Sequence, residues 1–354
     1  MWTEQKLDAM LTQPSAALVA DMKRLNGDVM ILGAGGKMGP TLAVLAKNAI
    51  AQARRMDEQQ SGGCSATSPG TNARVIAVSR FSDPIAVKFL NDSGVETISA
   101  DLMNEEQVAA LPDAENIIYM AGRKFGTNGQ EHMTWAMNAC VPTIVARRFV
   151  KSRIVVFSSG NIYPMVPAYS AGATEETRPM PNGEYGMSCL ARERIFEHFA
   201  KEYGARVSIY RLNFAVDLRY GVLYDIASYI MNDMPVPLDM GCFHCIWQGD
   251  ANEIAIRSLL HASDDVYVLN VTGPQTVPIK ETAEKLAKHL GKEVTFTGAP
   301  KGDAFLSNAS KMFATFGYPT ISVDTLIQWQ AEWILSGGRI LNKPTHFEER
   351  GGTY

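Results

Sequence analysis

The chain has 354 residues, 46% hydrophobic and 20% charged, with 33 Lys plus Arg against 37 Asp plus Glu and a formal net charge of −4. That length allows two domains or one large α/β unit with a core that needs no staples. The charge balance argues against a nucleic-acid binder, no apolar run approaches the ~18 residues of a membrane span, and the N-terminal MWTEQKLDAM and five scattered cysteines point to a reduced, cytoplasmic protein without a secretory signal.

Residues 3–25 read as two helical pieces, with Pro14 at the start of the second and Leu18, Met22 and Leu25 as its apolar stripe. Asn26-Gly27-Asp28 is a turn signal, and Val29-Met30-Ile31-Leu32 is the continuous apolar run of a strand buried on both faces. Pro40–Met56 predicts a helix, and the Gly- and Ser-rich stretch 57–73 a long loop. Strand signals follow at Arg74–Val78, Glu96–Ser99, Asn116–Met120, Arg153–Phe157, Arg206–Tyr210 and Val266–Val271. Helical stretches between them include Gln130–Val150 and Tyr185–Tyr203. This alternation predicts an α/β doubly wound parallel sheet, Rossmann-like. From residue 213 the texture changes, with Pro235, Pro237 and helix signals at Lys280–Leu290 and Asp324–Leu335. The expected organisation is an N-terminal helical extension (1–27), a dinucleotide-binding domain (28–212) and a smaller C-terminal substrate-binding lobe (213–354), with 242–275 returning to the first domain.

After the first strand comes Gly33-Ala34-Gly35-Gly36-Lys37-Met38-Gly39. Spacing G-x-x-G-x-x-G fits through Gly33, Gly36 and Gly39, whereas G-x-G-x-x-G fails at Met38. Such a turn lets the backbone approach a pyrophosphate, and the helix behind it aims free N–H groups and its positive dipole end at the phosphates. The second strand ends in Ser79-Arg80 rather than the acid that would take the ribose hydroxyls of NAD. A small Ser followed by Arg suits a 2′-phosphate, so NADP is the expected cofactor and NAD the alternative.

Six motifs in order resemble the extended short-chain dehydrogenase/reductase superfamily, in its NAD-dependent epimerase/dehydratase branch. They are the glycine turn; Asp101-Leu102 after the third strand; Tyr119-Met120-Ala121-Gly122; Asn138 in MNACVPT; Ser158-Ser159-Gly160-Asn161-Ile162-Tyr163-Pro164; and Tyr185-Gly186-Met187-Ser188. The resemblance covers residues 28 to about 275. It implies that Asp101 and Leu102 contact the adenine side and that Met120, Ala121 and Gly122 run under the nicotinamide ribose. By the same resemblance Asn138 is structural, Ser159 hydrogen-bonds the reacting oxygen, and Tyr185 exchanges a proton with a substrate hydroxyl and touches the cofactor. Lys37 and Met38 then complete the pyrophosphate turn.

The sequence departs from that family at one position. Its motif needs Lys four residues after the tyrosine, where this chain has Cys189. A free tyrosine has a pKa near 10, and lowering it ~3 units corresponds to roughly 4 kcal/mol. A neutral thiol supplies no charge, and a thiolate opposes ionisation. Replacement cations are Lys124 or Arg123 after the fourth strand, Arg192 one further step along the Tyr185 helix, or the oxidised nicotinamide itself. The alternative is a site that has lost its redox chemistry.

Cys242-Phe243-His244-Cys245 is one CxxC without a second pair, so it reads as packing, with no metal. His244 or Gln248 then lines a pocket by resemblance. Asn213 and Arg219 are candidate substrate contacts, Arg219 for an anionic group; the other reading of Arg219 is a solvated charge. Together these readings predict an NAD(P)-dependent epimerase, dehydratase or dehydrogenase acting on a sugar or nucleotide sugar. The alternative is a non-catalytic NAD(P)-binding sensor or scaffold. The resemblance adds a homodimer built on the helices after strands four and five.

Overall fold

The computed structural model describes residues 2–60, 68, 70–124, 126 and 129–353. Two short helices lead in. The first, α1 (Glu4–Leu11), is capped by the Thr3 hydroxyl and the second, α2 (Ala16–Arg24), by that of Ser15, one residue after Pro14. Their apolar stripes, Leu7 and Leu11 then Leu18, Val19 and Met22, are buried. Each cap satisfies a first-turn N–H that has no intrahelical partner.

Seven strands follow in one all-parallel sheet: β1 (Val29–Leu32), β2 (Val75–Ser79), β3 (Glu96–Ser99), β4 (Asn116–Tyr119), β5 (Arg153–Ser159), β6 (Arg206–Leu212) and β7 (Tyr267–Val271). Their order across the sheet is β7-β6-β5-β4-β1-β2-β3. The helices between them are α3 (Gly39–Gln60), α4 (Pro84–Asp92), α5 (Glu105–Ala109), α6 (Glu131–Trp135), α7 (Val141–Arg148) and α8 (Gly183–Tyr203). One face of the sheet packs on α2 and α3 through Leu42, Leu45 and Ala49, the other on α7 and α8 through Val141, Val145 and Phe196. All four β1 residues are buried, as a strand covered on both faces requires. Chain order reverses between β1 and β4, where a doubly wound sheet opens its ligand crevice.

The helix over 40–56 runs on to Gln60, because Asp57-Glu58-Gln59-Gln60 continues a good helix-forming sequence. Within the loop expected at 57–73, residues 61–67 and 69 lie outside the described residues. Strands β5 and β6 each extend two residues past their sequence signals, to Ser159 and Leu212. Ser159 is one of those extra residues.

Past β6 the helices are α9 (Val222–Met231), α10 (Gln248–Arg257), α11 (Ile279–Leu290), α12 (Ser310–Phe316) and α13 (Val323–Leu335); α12 lies against β7, and α9, α11 and α13 pack together as a lobe. Its separate core gathers Ile226 and Ile230 with Leu286 and Trp333, joined by Leu7 and Leu11 of α1. Between its helices the chain returns to the sheet through α10, which packs on α2 and α3, and through β7. Among the described residues no helix is long and apolar enough to cross a membrane.

Candidate active site

Three glycines of the β1–α3 turn are fixed by the chain itself. Gly33 has φ +92°, and a Cβ there would stand 2.6 Å from the Ala121 backbone; one on Gly39 would stand 2.3 Å from the Ala34 carbonyl, and one on Gly35 2.6 Å from the Ser79 hydroxyl. Gly36 differs, since the nearest atom to its virtual Cβ is the Gly33 carbonyl at 3.4 Å. Nothing in the chain demands glycine there, so the space it leaves is what a close-approaching phosphate would need. Met38 is buried behind the turn. The Lys37 side chain reaches over the Tyr220 ring, at 4.7 Å, to donate to the Lys343 carbonyl at 2.8 Å. Burial, with Lys124 nearby, lowers Lys37 to about 8.

At the far edge of the crevice, Arg80 is exposed and its guanidinium lies 3.9 Å from the Asp101 carboxylate. Asp101 also accepts from the Met103 N–H, and Leu102 is buried. Ala121 is buried against Gly33 and Met120 is partly buried; Gly122 is exposed. A Cβ on Gly122 would come within 2.5 Å of the Arg192 guanidinium.

Ser159 ends β5, and its hydroxyl accepts from the Asn161 backbone N–H at 3.1 Å and donates to the Asn161 side-chain oxygen at 3.0 Å. Tyr185 enters in the first turn of α8. Gly186 beside it is pressed on the Asn161 carbonyl, where a Cβ would come within 2.6 Å; this contact seats the helix on the 159–162 turn. The Tyr185 hydroxyl is hydrogen-bonded to Ser159 and donates to the Cys189 sulfur. Burial first, then Cys189, pushes Tyr185 well above its ordinary pKa, while Arg192 and Ser159 pull it down. Cys189 is fully buried with Ile162, Tyr163 and Ala173, and burial raises its thiol as well. Burial, aided by the thiol four residues on, therefore holds the proton on the phenol.

Two cations lie near that phenol. The Lys124 ammonium sits 5.7 Å from the Tyr185 ring centre and 5.9 Å from that of Phe214, and donates to the Thr345 carbonyl at 3.2 Å. Burial lowers Lys124 to about 8, against the upward pull of Cys189 and Asp225. Arg192, buried, donates to the Phe157 carbonyl and the Asn138 side-chain oxygen, both at 2.7 Å. Asn138 lies in a π turn, Ala136–Cys140, between α6 and α7. It also binds the backbone of Arg123 on both sides and the Ser188 hydroxyl, a tie between β4, α7 and α8. The Arg123 guanidinium turns to the Gly126 carbonyl instead.

Asn213 faces a small cavity with Lys124 and Asn161, its amide donating to the Phe305 carbonyl at 3.0 Å. Arg219 and His244 do not line that cavity. The Arg219 guanidinium is buried and bonded to Asp217, Asp8 and Glu4, pinning α1 to the lobe, and it lines the larger pocket that holds Gly35, Gly36 and Lys37. Both His244 ring nitrogens are engaged, by the Ser307 carbonyl at 2.9 Å and the Thr276 hydroxyl at 3.0 Å, and burial lowers its pKa. Gln248 is buried between Tyr220, Thr41 and Asp217. Cys242 and Cys245 are buried thiols, both pushed up by burial. Arg211 forms a buried pair with Glu193 at 2.8 Å, extended to Ser158 and Tyr163, which braces β5, β6 and α8 behind the site.

No curated protein matches the chain. Solved structures with the same fold include MoeE5 in complex with UDP-glucose and NAD (19% identity, TM-score 0.66, 88% of this chain and 99% of that one). UDP-glucuronic acid 4-epimerase from Bacillus cereus in complex with NAD (16%, 0.65, 87% and 99%) is another. A third is dTDP-glucose 4,6-dehydratase from Bacillus anthracis in complex with NAD (17%, 0.67, 87% and 96%). The model of the NAD dependent epimerase/dehydratase family matches residues 29–215, from β1 past Tyr185 to three residues beyond β6. The chain therefore belongs to the NAD dependent epimerase/dehydratase family, an enzyme family.

Proposed function

We propose that the protein is a nicotinamide-dinucleotide-dependent epimerase, dehydratase or dehydrogenase acting on a hydroxyl of a nucleotide sugar or related sugar, with Tyr185 as acid or base. The observation that carries this reading is the hydrogen-bonded Ser159–Tyr185 pair with the Lys124 ammonium 5.7 Å from the tyrosine ring, all at the sheet's C-terminal edge. Structural neighbours described with UDP-glucose, dTDP-glucose chemistry and NAD support the substrate class.

The space left at Gly36 fits a pyrophosphate, with Gly33, Lys37, Met38 and Gly39 around it. Ser79, Arg80, Asp101 and Leu102 would hold the adenosine end, and Met120, Ala121, Gly122 and Tyr185 the nicotinamide end. When bound, the nicotinamide supplies the hydride acceptor and donor. Ser159 holds the reacting oxygen and Tyr185 moves its proton. Lys124 supplies the positive charge that the family places on a lysine four residues after the tyrosine. Arg80, exposed at the β2 end, favours NADP(H) over NAD(H). A homodimer through α7 and α8 belongs to the same reading. The test is calorimetric titration with both cofactors, followed by product analysis by NMR over a panel of UDP- and dTDP-sugars. A chain that binds neither cofactor refutes it.

A further inference from the structure

Residues 339–352 cross the mouth of the cleft without regular secondary structure. They are fastened at several points. The Leu341 N–H bonds the Arg219 carbonyl at 3.0 Å, and the Lys343 and Thr345 carbonyls accept from Lys37 and Lys124. Thr345 donates through both N–H and hydroxyl to Asp225, the former at 2.6 Å. Phe347 is 2% exposed in the lobe core, edge-on to Tyr229. Beyond it, Arg350 pairs with Asp303 and its carbonyl accepts from Asn182 at 2.9 Å, beside the start of α8. Two non-glycine residues of the segment, Asn342 and His346, have φ of +48° and +53°. Such conformations persist where surrounding contacts determine them.

Beneath this segment lies a cavity of about 10 Å³. Lys124, Asn161, Asn213 and Cys242 line it on one side, His346 and Glu349 on the other. That volume accommodates one water molecule; a sugar ring does not fit.

We propose that residues 339–352 form a strap that seals the substrate cavity, lifts to admit a sugar, and closes over it with His346 and Glu349 facing the substrate. The proposal rests on reading this cleft as the substrate site. Lifting leaves the Lys37 and Lys124 ammonium groups facing the ligand's oxygens in place of backbone carbonyls, so the exchange orphans neither.

Cys242, 6% exposed, reports the seal. The test is peptide-resolved alkylation of the intact protein by iodoacetamide, comparing wild type with Asp225→Ala, which removes the acceptor for Thr345, and Arg350→Ala, which cuts the outer fastening. Cys242 is expected to react at least ~10-fold faster in both variants, while Cys245, buried outside the cavity lining, stays slow. Equal Cys242 rates in all three proteins overturn the strap, and so does a rise matched by Cys245 in both variants. The labelling needs neither cofactor nor turnover, so it can fail while the proposed function stands, and the reverse.

Discussion

Replacing Lys124 by Met removes the ammonium beside Tyr185 and keeps most of the side chain's bulk. The ammonium lies 5.7 Å from the Tyr185 ring centre; a unit charge about 6 Å from the phenolate oxygen, at an effective dielectric of about 20, stabilises it by at most roughly 3 kcal/mol. That corresponds to about two pKa units. Lys124→Met should therefore raise the Tyr185 pKa by ~2 units and lower kcat/KM about 100-fold at pH 7, with the limb that needs the phenolate displaced upward by the same ~2 units. Wild-type Lys124 should lose its proton near pH 8, so wild-type activity falls above that pH and the variant lacks this fall. Stability carries the opposite sign. Lys124 titrates at about 8 folded against about 10.5 ordinarily, so the unfolded chain binds more protons between those values. Wild-type stability then rises with pH through that window, after a constant penalty below it, and Lys124→Met abolishes the rise. The assay is the pH profile of kcat/KM beside denaturant melts at pH 7 and 10. An unmoved limb and unchanged rate in the variant would refute Lys124 as the cation and leave Arg192 in that role.

Calorimetry should show tighter binding of NADP(H) than NAD(H), with the preference lost in Arg80→Ala; equal affinities remove the Arg80 argument. Gly36→Ala should fold normally, because its Cβ meets nothing closer than 3.4 Å, yet bind cofactor at least ~10-fold more weakly. Gly39→Ala, with its Cβ 2.3 Å from a carbonyl, should lower the melting temperature, and the opposite ranking contradicts the glycine assignment. Cys189→Lys puts an ammonium into a fully buried site already facing Arg192. It should destabilise the fold by roughly 3–5 kcal/mol, the cost of an unpaired buried charge, and bring no activity; a stable, more active variant would show that the site lost its chemistry with the lysine.

Strands such as Val29–Leu32 and the glycine turn were legible because burial on both faces and close backbone approach leave local marks in sequence. Ser159 and Tyr185 stood out only through the resemblance of two short motifs, and the fold sets the two side chains side by side. Lys124 was reachable only because a missing charge made a replacement necessary. Long-range contacts left no such marks. Arg219 reads locally as a loop cation, and its partners Glu4 and Asp8 lie more than 200 residues earlier. His244 reads as a pocket histidine until Ser307 and Thr276 claim both nitrogens. The closing segment 339–352 has no periodicity, and its hold depends on single bonds to Lys37, Lys124 and Asp225. Asn161 sat inside a recognised motif, yet only the fold places it on the cavity wall.

The most direct measurement is the turnover of Tyr185→Phe beside wild type on whichever sugar of the panel the wild type converts, with cofactor affinity measured in parallel. Removing one hydroxyl should leave cofactor binding within about twofold and lower turnover by at least ~100-fold, the low end of general acid–base contributions. Full turnover in Tyr185→Phe would contradict the account, because the proton would then move elsewhere.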